Sequence, residues 1–194
     1  MPPTGTTPRR KLICLTGFMG SGKTTIGRHL ARQLAWSFVD LDTRIEEHAG
    51  LRISEIFERL GEPAFREIEH ELLIQLLARA AEQAKPMVLA LGGGTFAQPR
   101  NVERLRANGG VVIWLDCPIE KLLLRCATIA NRPLFRDEAS FRKLYEERRP
   151  FYQLADFRVE SSVEPQGVIE QILALGIFER VAGIPNTSPR RVNA

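Results

Sequence analysis

The chain has 194 residues, 44% of them hydrophobic and 26% charged, with a formal net charge of +4. That length allows one α/β domain with a full core, and the composition is that of a globular protein rather than a disordered or fibrous one. The positive charge is mild and spread along the chain, and aromatics are few, which suits small anionic ligands and does not argue for nucleic acid; no apolar run reaches the length of a membrane span.

Residues 1–10, MPPTGTTPRR, are rich in Pro, Thr and Gly and lack the apolar stretch of a secretory signal. They are expected to form a disordered arm. Residues 179–194 are expected to form a second tail, leaving one domain over residues 11–178. Cys14, Cys117 and Cys126 are an odd number of thiols with no C-x-x-C pair, which points to a reducing, cytoplasmic setting. His29, His48 and His70 share no metal-ligand spacing.

The domain opens on a short apolar run, Lys11 to Thr16, suited to a buried strand. It leads into Gly17–Thr24, GFMGSGKT, which fits the phosphate-binding pattern G-x-x-x-x-G-K-[ST] at Gly17, Gly22, Lys23 and Thr24. Small and glycine positions let the backbone curl so that several N–H groups converge on one anion. The apolar spacing of Ile26, Leu30 and Leu34 predicts a helix directly after the loop, to about Ala35. Its first turn adds unpaired N–H groups and partial positive charge. Gly20, Ser21, Gly22, Lys23, Thr24 and Thr25 are therefore the expected contacts to ATP phosphates. Lys23 neutralises the β- and γ-oxygens, and the Thr24 hydroxyl is a hard ligand for Mg²⁺.

A second strand is expected at Ser37 to Leu41, ending in Asp40-Leu41-Asp42. In extended chain the two carboxylates would face the same way, about 6–7 Å apart. Beyond a strand's carboxyl end, beside a phosphate loop, one can serve the magnesium shell and the other an acceptor hydroxyl. A helical stretch from Thr43 to Leu60, broken near Gly50, precedes a turn at Gly61-Glu62-Pro63. The next helix, to about Gln83, carries the apolar stripe Phe65, Ile68, Leu72 and Leu76. On it, Arg66 and Glu69 are three apart and can meet, making Arg66 an anion receptor oriented by Glu69.

A third strand, Met87 to Leu91, runs into Gly92-Gly93-Gly94, a backbone that a ligand can approach closely. A helix over 99–107, a turn at 108–110 and a continuous apolar strand over 111–115 follow. Then come a helix over 118–127 ending near Arg125, a polar connector over 128–137, and an Arg/Glu-rich helix over 138–149. A short strand over 156–159 and a helix over 165–175 close the domain. Arg132 in the connector suits a lid that brings a guanidinium to the transferring phosphate. Either Arg148 or Arg149 can meet a substrate carboxylate. The alternation of strands and helices predicts a parallel sheet covered on both faces, and no internal repeat is visible.

These segments together resemble the shikimate kinases over roughly Lys11 to Leu175. GFMGSGKT resembles the family's phosphate loop. VDLDTRIEEHAG resembles its D-x-D-x-x-I-E segment, with Asp40 on the metal side and Asp42 at the substrate hydroxyl. IFERLGEPAFREIE resembles its F…GE…FR..E stretch, putting Arg66 at a shikimate-carboxylate position, and LGGGT resembles its substrate-binding triglycine, Gly92, Gly93 and Gly94. NRPLF resembles the lid arginine motif at Arg132. ERRPFY resembles the R-x-P-x-Y segment and places Arg148, not Arg149, at the second carboxylate position. Arg125 aligns with an arginine that packs near adenine. A further adenine-contacting arginine of some members has no counterpart in Glu160–Pro165, ESSVEP.

The resemblance implies a P-loop NTPase three-layer sandwich with a five-stranded parallel sheet in the order 2-3-1-4-5, a substrate-binding helical insertion and a lid. It implies Mg²⁺-dependent transfer from ATP to the 3-hydroxyl of shikimate by a cytoplasmic monomer, with Lys23, Asp42 and Arg132 as catalytic residues and Thr24 and Asp40 at the metal. A gluconate-type kinase is the nearest alternative. A non-catalytic kinase-like ligand sensor is the other, although such a protein would usually lose Asp42 or the triglycine.

Overall fold

The structure, a computed structural model, describes residues 11–127 and 137–177. The elements run β1 (Leu12–Thr16), α1 (Lys23–Leu34), β2 (Ser37–Asp40), α2 (Leu41–Ala49), α3 (Ile53–Gln83), β3 (Met87–Ala90), a 3-10 turn (Thr95–Ala97), α4 (Pro99–Ala107), β4 (Val111–Asp116), α5 (Ile119–Ala127), α6 (Glu138–Tyr152), β5 (Phe157–Glu160) and α7 (Pro165–Ala174). The strands form one parallel sheet in the order β2-β3-β1-β4-β5, as the resemblance implied. None of the described helices is long and apolar enough to cross a membrane.

β1 is the central strand, with Cys14 opposite both Leu89 and Val112. Its side chains alternate between two cores, as a strand's must. Ile13 and Leu15 pack with Ile26, Leu30, Ile169 and Ile172 of α1 and α7. Leu12 and Cys14 pack with Leu41, Ile45, Leu73 and Leu105 of α2, α3 and α4. With both faces covered, all five residues of β1 are buried, which is why the run reads as uniformly apolar. A third cluster, including Phe18, Trp114, Phe141 and Tyr152, supports the phosphate loop against α6; Phe18 meets Phe141 edge-on at 4.9 Å.

Three boundaries differ from the sequence reading. α2 starts at Leu41 rather than Thr43, because the Asp40 side chain caps it by accepting from the N–H groups of Asp42 and Thr43. α3 runs through the expected turn at 61–63, but Gly61 leaves helical geometry at φ 81°, ψ 169°, so two helices abut at a kink there. α6 continues past Arg149 to Tyr152 despite Pro150. That last turn carries Tyr152 into the core, fully buried.

Candidate active site

The loop after β1 is shaped by backbone that only glycine tolerates. Gly17 has φ 142°, and a Cβ there would stand 2.7 Å from the Leu115 carbonyl. Gly22 is the N-cap of α1 at φ 94° and offers no side-chain cap. The first-turn N–H groups of α1 are thus left for an anion instead of being satisfied by the protein. Lys23 Nζ donates to the carbonyls of Gly17 (2.9 Å) and Phe18 (3.1 Å), which holds the ammonium over the loop. A cavity of about 460 Å³ opens here, lined by Gly20 to Ile26, Asp40, Asp42 and, at its far edge, Arg125, Ser161, Val163 and Pro165. Arg125 donates to the Gly20 carbonyl at 3.2 Å and, from both terminal nitrogens, to the Ser161 carbonyl at 3.3 and 3.2 Å. It ties the loop to the segment after β5.

Asp40 and Asp42 do come together at the site, but not by strand alternation. Asp40 is the last residue of β2 and Asp42 lies in the first turn of α2. While Asp40 Oδ1 caps the helix, its Oδ2 accepts from the Thr24 hydroxyl at 2.6 Å. Thr24 and Asp40 therefore present two hard oxygens on the nucleotide side. Asp42 faces the other way, toward the triglycine.

A second cavity of about 360 Å³ lies on that side. Arg66 from α3, Arg148 from α6 and Gly92 to Gly94 line it, with Met19, Phe57 and Phe65 among its apolar walls. The structure gives the triglycine a reason that the sequence reading missed. A Cβ on Gly92 would sit 2.5 Å from Asp42 Oδ1; on Gly93, 3.3 Å from Arg148 Nη1; on Gly94, 2.5 Å from Arg66 Nη2. Gly93 stands against Arg148 and Gly94 against Arg66, while Gly92 makes room for Asp42 and for Thr95 and Glu69 behind it. None of the three has a left-handed backbone, so at Gly92 and Gly94 it is close approach, not φ, that disfavours a side chain.

Arg66 is nearly buried. It is held by Glu69 Oε2 at 2.9 Å from Nη1, and by Glu62 Oε1 at 3.2 and 2.9 Å from Nε and Nη2. Burial alone would lower its pKa, but the Glu69 carboxylate, with Glu62, outweighs that and holds it above the ordinary value. Arg148 is only 8% exposed. Among the described residues it pairs with no carboxylate, and it faces the Tyr152 hydroxyl. Tyr152 in turn donates to the Gly93 carbonyl at 2.5 Å, and burial pushes its own pKa well up. A buried guanidinium without a counter-ion is costly, so this cavity is built for an anionic ligand. Arg149, the other candidate, is exposed. The two cavities share Lys23, Thr24, Asp40 and Asp42 along their common wall.

A family model described as shikimate kinase matches residues 19–175. The chain belongs to the shikimate kinase family. The shikimate kinase of Persephonella marina is 37% identical over 163 residues, covering 83% of this chain and 96% of that one. The shikimate kinase of Acinetobacter baumannii, solved in complex with shikimate, superposes with a TM-score of 0.78 at 38% identity, over 87% of this chain and 93% of that one. A gluconokinase from Sinorhizobium meliloti reaches a TM-score of 0.51 at 16% identity, a likeness of fold alone. In the segment after β5, which has no arginine, Val163 and Pro165 line the first cavity, and the Ser161 carbonyl accepts from Arg125. Arg132, with its NRPLF segment, lies outside the described residues.

Residues that the sequence pattern does not place at a site are Phe57, Met19 and Phe65, the last read only as helix stripe, in the second cavity, Ser161 and Val163 in the first, and Tyr152 under Gly93. Phe57 and Phe65 stack at 4.6 Å between centroids. Their signal was the apolar spacing flanking the Gly61 kink, which reads equally well as core.

Proposed function

We propose that the chain transfers the γ-phosphoryl group of ATP to the 3-hydroxyl of shikimate, giving shikimate 3-phosphate and ADP. The observation that carries this is the meeting of the two cavities at Lys23, Thr24, Asp40 and Asp42, with two buried arginines on the acceptor side alone. Nucleotide phosphates lie on the loop, against the first turn of α1. The shikimate carboxylate lies between Arg66 and Arg148. A planar guanidinium matches a carboxylate with parallel hydrogen bonds, and the two arginines come from α3 and α6, so they clamp from different sides. With the carboxylate fixed there, the ring hydroxyls reach toward Asp42 at the junction.

Catalysis is then mostly positioning and charge neutralisation. Asp42 orients the 3-hydroxyl and accepts its proton as the bond to phosphorus forms and the bond to the ADP oxygen breaks. Lys23 balances charge on the transferring group, and Arg132 adds a second cation from the connector. The Thr24 hydroxyl and the Asp40 carboxylate fit Mg²⁺, a hard ion that takes few protein ligands and completes its shell with phosphate and water. When bound, Mg²⁺ supplies positive charge to the phosphate oxygens. No group of three or more His, Cys, Asp or Glu able to hold a metal exists among the described residues, which agrees with so sparse a protein share. The buried cysteines Cys14, Cys117 and Cys126, none of them in a disulfide, suit the reducing cytosol where ATP is met.

The test is coupled ADP release with shikimate, with gluconate and with no acceptor. Release that depends on shikimate is expected. Faster release with gluconate would make the chain a gluconate-type kinase. Binding of shikimate with no release in any arm would make it a ligand sensor.

The carboxylate clamp has its own check. Lysine cannot copy the bidentate geometry, and a lost charged hydrogen bond in a closed site costs about 2–3 kcal/mol, or roughly thirty- to a hundredfold in affinity. Arg66→Lys and Arg148→Lys are each expected to raise the shikimate KM by that order, with the ATP KM little changed. The exposed neighbour Arg149→Lys is expected to be near neutral. Equal effects at 148 and 149 in the same titration would mean that the acceptor site is misplaced.

A further inference from the structure

The brace behind Arg66 has a second half. Glu69 is fully buried at 0% exposure, and its two oxygens take different donors. Oε2 accepts from Arg66 Nη1 at 2.9 Å; Oε1 accepts from the Thr95 hydroxyl at 2.6 Å. Thr95, also fully buried, opens the 3-10 turn that follows the triglycine.

Thr95 is itself fixed from behind. Its N–H donates to the Gly92 carbonyl at 3.1 Å. Asn101, buried at the start of α4, donates from Nδ2 to the Thr95 carbonyl at 3.1 Å. With that amide nitrogen so engaged, Asn101 Oδ1 faces His70, whose Nδ1 lies 2.6 Å away and is the donor. His70 follows Glu69 on α3, so the chain of bonds leaves that helix at Glu69 and returns to it one residue later. Gly92 closes the remaining side: a Cβ there would stand 2.9 Å from Thr95 Oγ1 and 3.2 Å from Glu69 Oε1.

We propose that Thr95 is a positioning residue for the acceptor carboxylate, acting through Glu69 on Arg66. This rests on the acceptor assignment above. Arg66 carries five N–H donors. Glu69 and Glu62 engage Nε, one N–H of Nη1 and one of Nη2. One N–H remains on each terminal nitrogen for a ligand to use. The Thr95 hydroxyl saturates Oε1 of Glu69. Without it, an ionised oxygen out of reach of water lacks a donor, and a buried acceptor left so is strongly disfavoured. The donors in the same cluster are those remaining on Arg66. Turning the guanidinium to serve Glu69 takes its free pair off the ligand.

The experiment separates the hydroxyl of Thr95 from its methyl. Thr95→Val keeps the shape and loses the donor; Thr95→Ser keeps the donor and loses the methyl. The proposal expects Thr95→Val to raise the shikimate KM roughly tenfold, with the ATP KM within about twofold of wild type, and Thr95→Ser to stay within about twofold for both. A packing role predicts the reverse order and would overturn it. So would equal KM values in all three proteins, or parallel losses in both substrates. Should Thr95→Val fail to fold, Thr95→Ser against Thr95→Ala decides the matter, since those two differ only by the hydroxyl. Wild-type ADP release, run alongside, tests the acceptor assignment itself, so a wrong acceptor and a wrong role for Thr95 give different results.

Discussion

Lys23→Met is expected to lower kcat at saturating ATP and shikimate by at least about a hundredfold, the scale on which removal of one preorganised group from a charge-developing site is felt. Methionine is a fair match in length and removes only the ammonium. That charge matters most when the γ-phosphoryl group is between its two oxygens, so loss should appear in kcat more than in the ATP KM. A structural side effect is built in. Lys23 Nζ bonds the Gly17 and Phe18 carbonyls, and the variant leaves both without that donor. About 1–2 kcal/mol of stability should go with it, or a fall in Tm of a few degrees at this chain length. The two effects separate cleanly: circular dichroism shows the fold at assay temperature, and single-turnover phosphoryl transfer gives the chemistry. Turnover close to wild type in a folded variant would remove the phosphate-loop assignment and the mechanism that rests on it.

Most of the fold was legible because the signals were local. β1, β3 and β4 read as continuous apolar runs since both sheet faces are covered, and the loop glycines sit where a strand hands over to a helix. Errors of boundary came from side chains acting on backbone. Asp40 was read as the end of extended chain, but its carboxylate caps α2 and winds Leu41 and Asp42 into a helix. The helix expected over 138–149 instead runs to Tyr152, with Pro150 in its last turn and Tyr152 packed in the third core.

The acceptor site was legible only in part, because what shapes it is long-range. The reason for Gly92 to Gly94 lies in Asp42, Arg66 and Arg148, brought to one spot from α2, α3 and α6. The choice between Arg148 and Arg149, which the residues alone left open, did have a local signal. Phe141, Tyr145, Arg148 and Tyr152 are the buried residues of α6, spaced by three and four. Arg148 stands on the apolar stripe of its helix and Arg149 does not. Glu69 likewise stands on the stripe of α3 with Phe65, Leu72 and Leu73. A charge at the centre of an apolar stripe must be answered by another charge, either from the protein or from a ligand. Glu69 is answered by Arg66. Arg148, among the described residues, meets no carboxylate, which supports its place in the proposed clamp.

The role of Asp42 follows from its placement and can be tested in the same terms. Asp42 sits in the first turn of α2 and borders both cavities, so on the proposed reading it stands between acceptor and nucleotide. A Cβ on Gly92 would lie 2.5 Å from its Oδ1. The carboxylate thus lies close against the backbone of Gly92. The N-terminal end of α2 favours negative charge there. Asp42→Asn preserves shape and hydrogen-bonding reach but makes a poor proton acceptor. General-base assistance is worth about 10²–10⁴ in rate, so kcat should fall by at least a hundredfold. The shikimate KM should move only slightly, because Arg66 and Arg148 hold the carboxylate and an amide still holds the hydroxyl. Glu69, Glu62 and Thr95 are untouched, so no rearrangement of the clamp confuses the result. Steady-state kinetics in both substrates reads the split. If Asp42→Asn kept most of its kcat, proton abstraction by this residue would be excluded. If instead kcat held and the shikimate KM rose steeply, Asp42 would be a binding group whose contribution lies in placing the 3-hydroxyl in line with the γ-phosphorus.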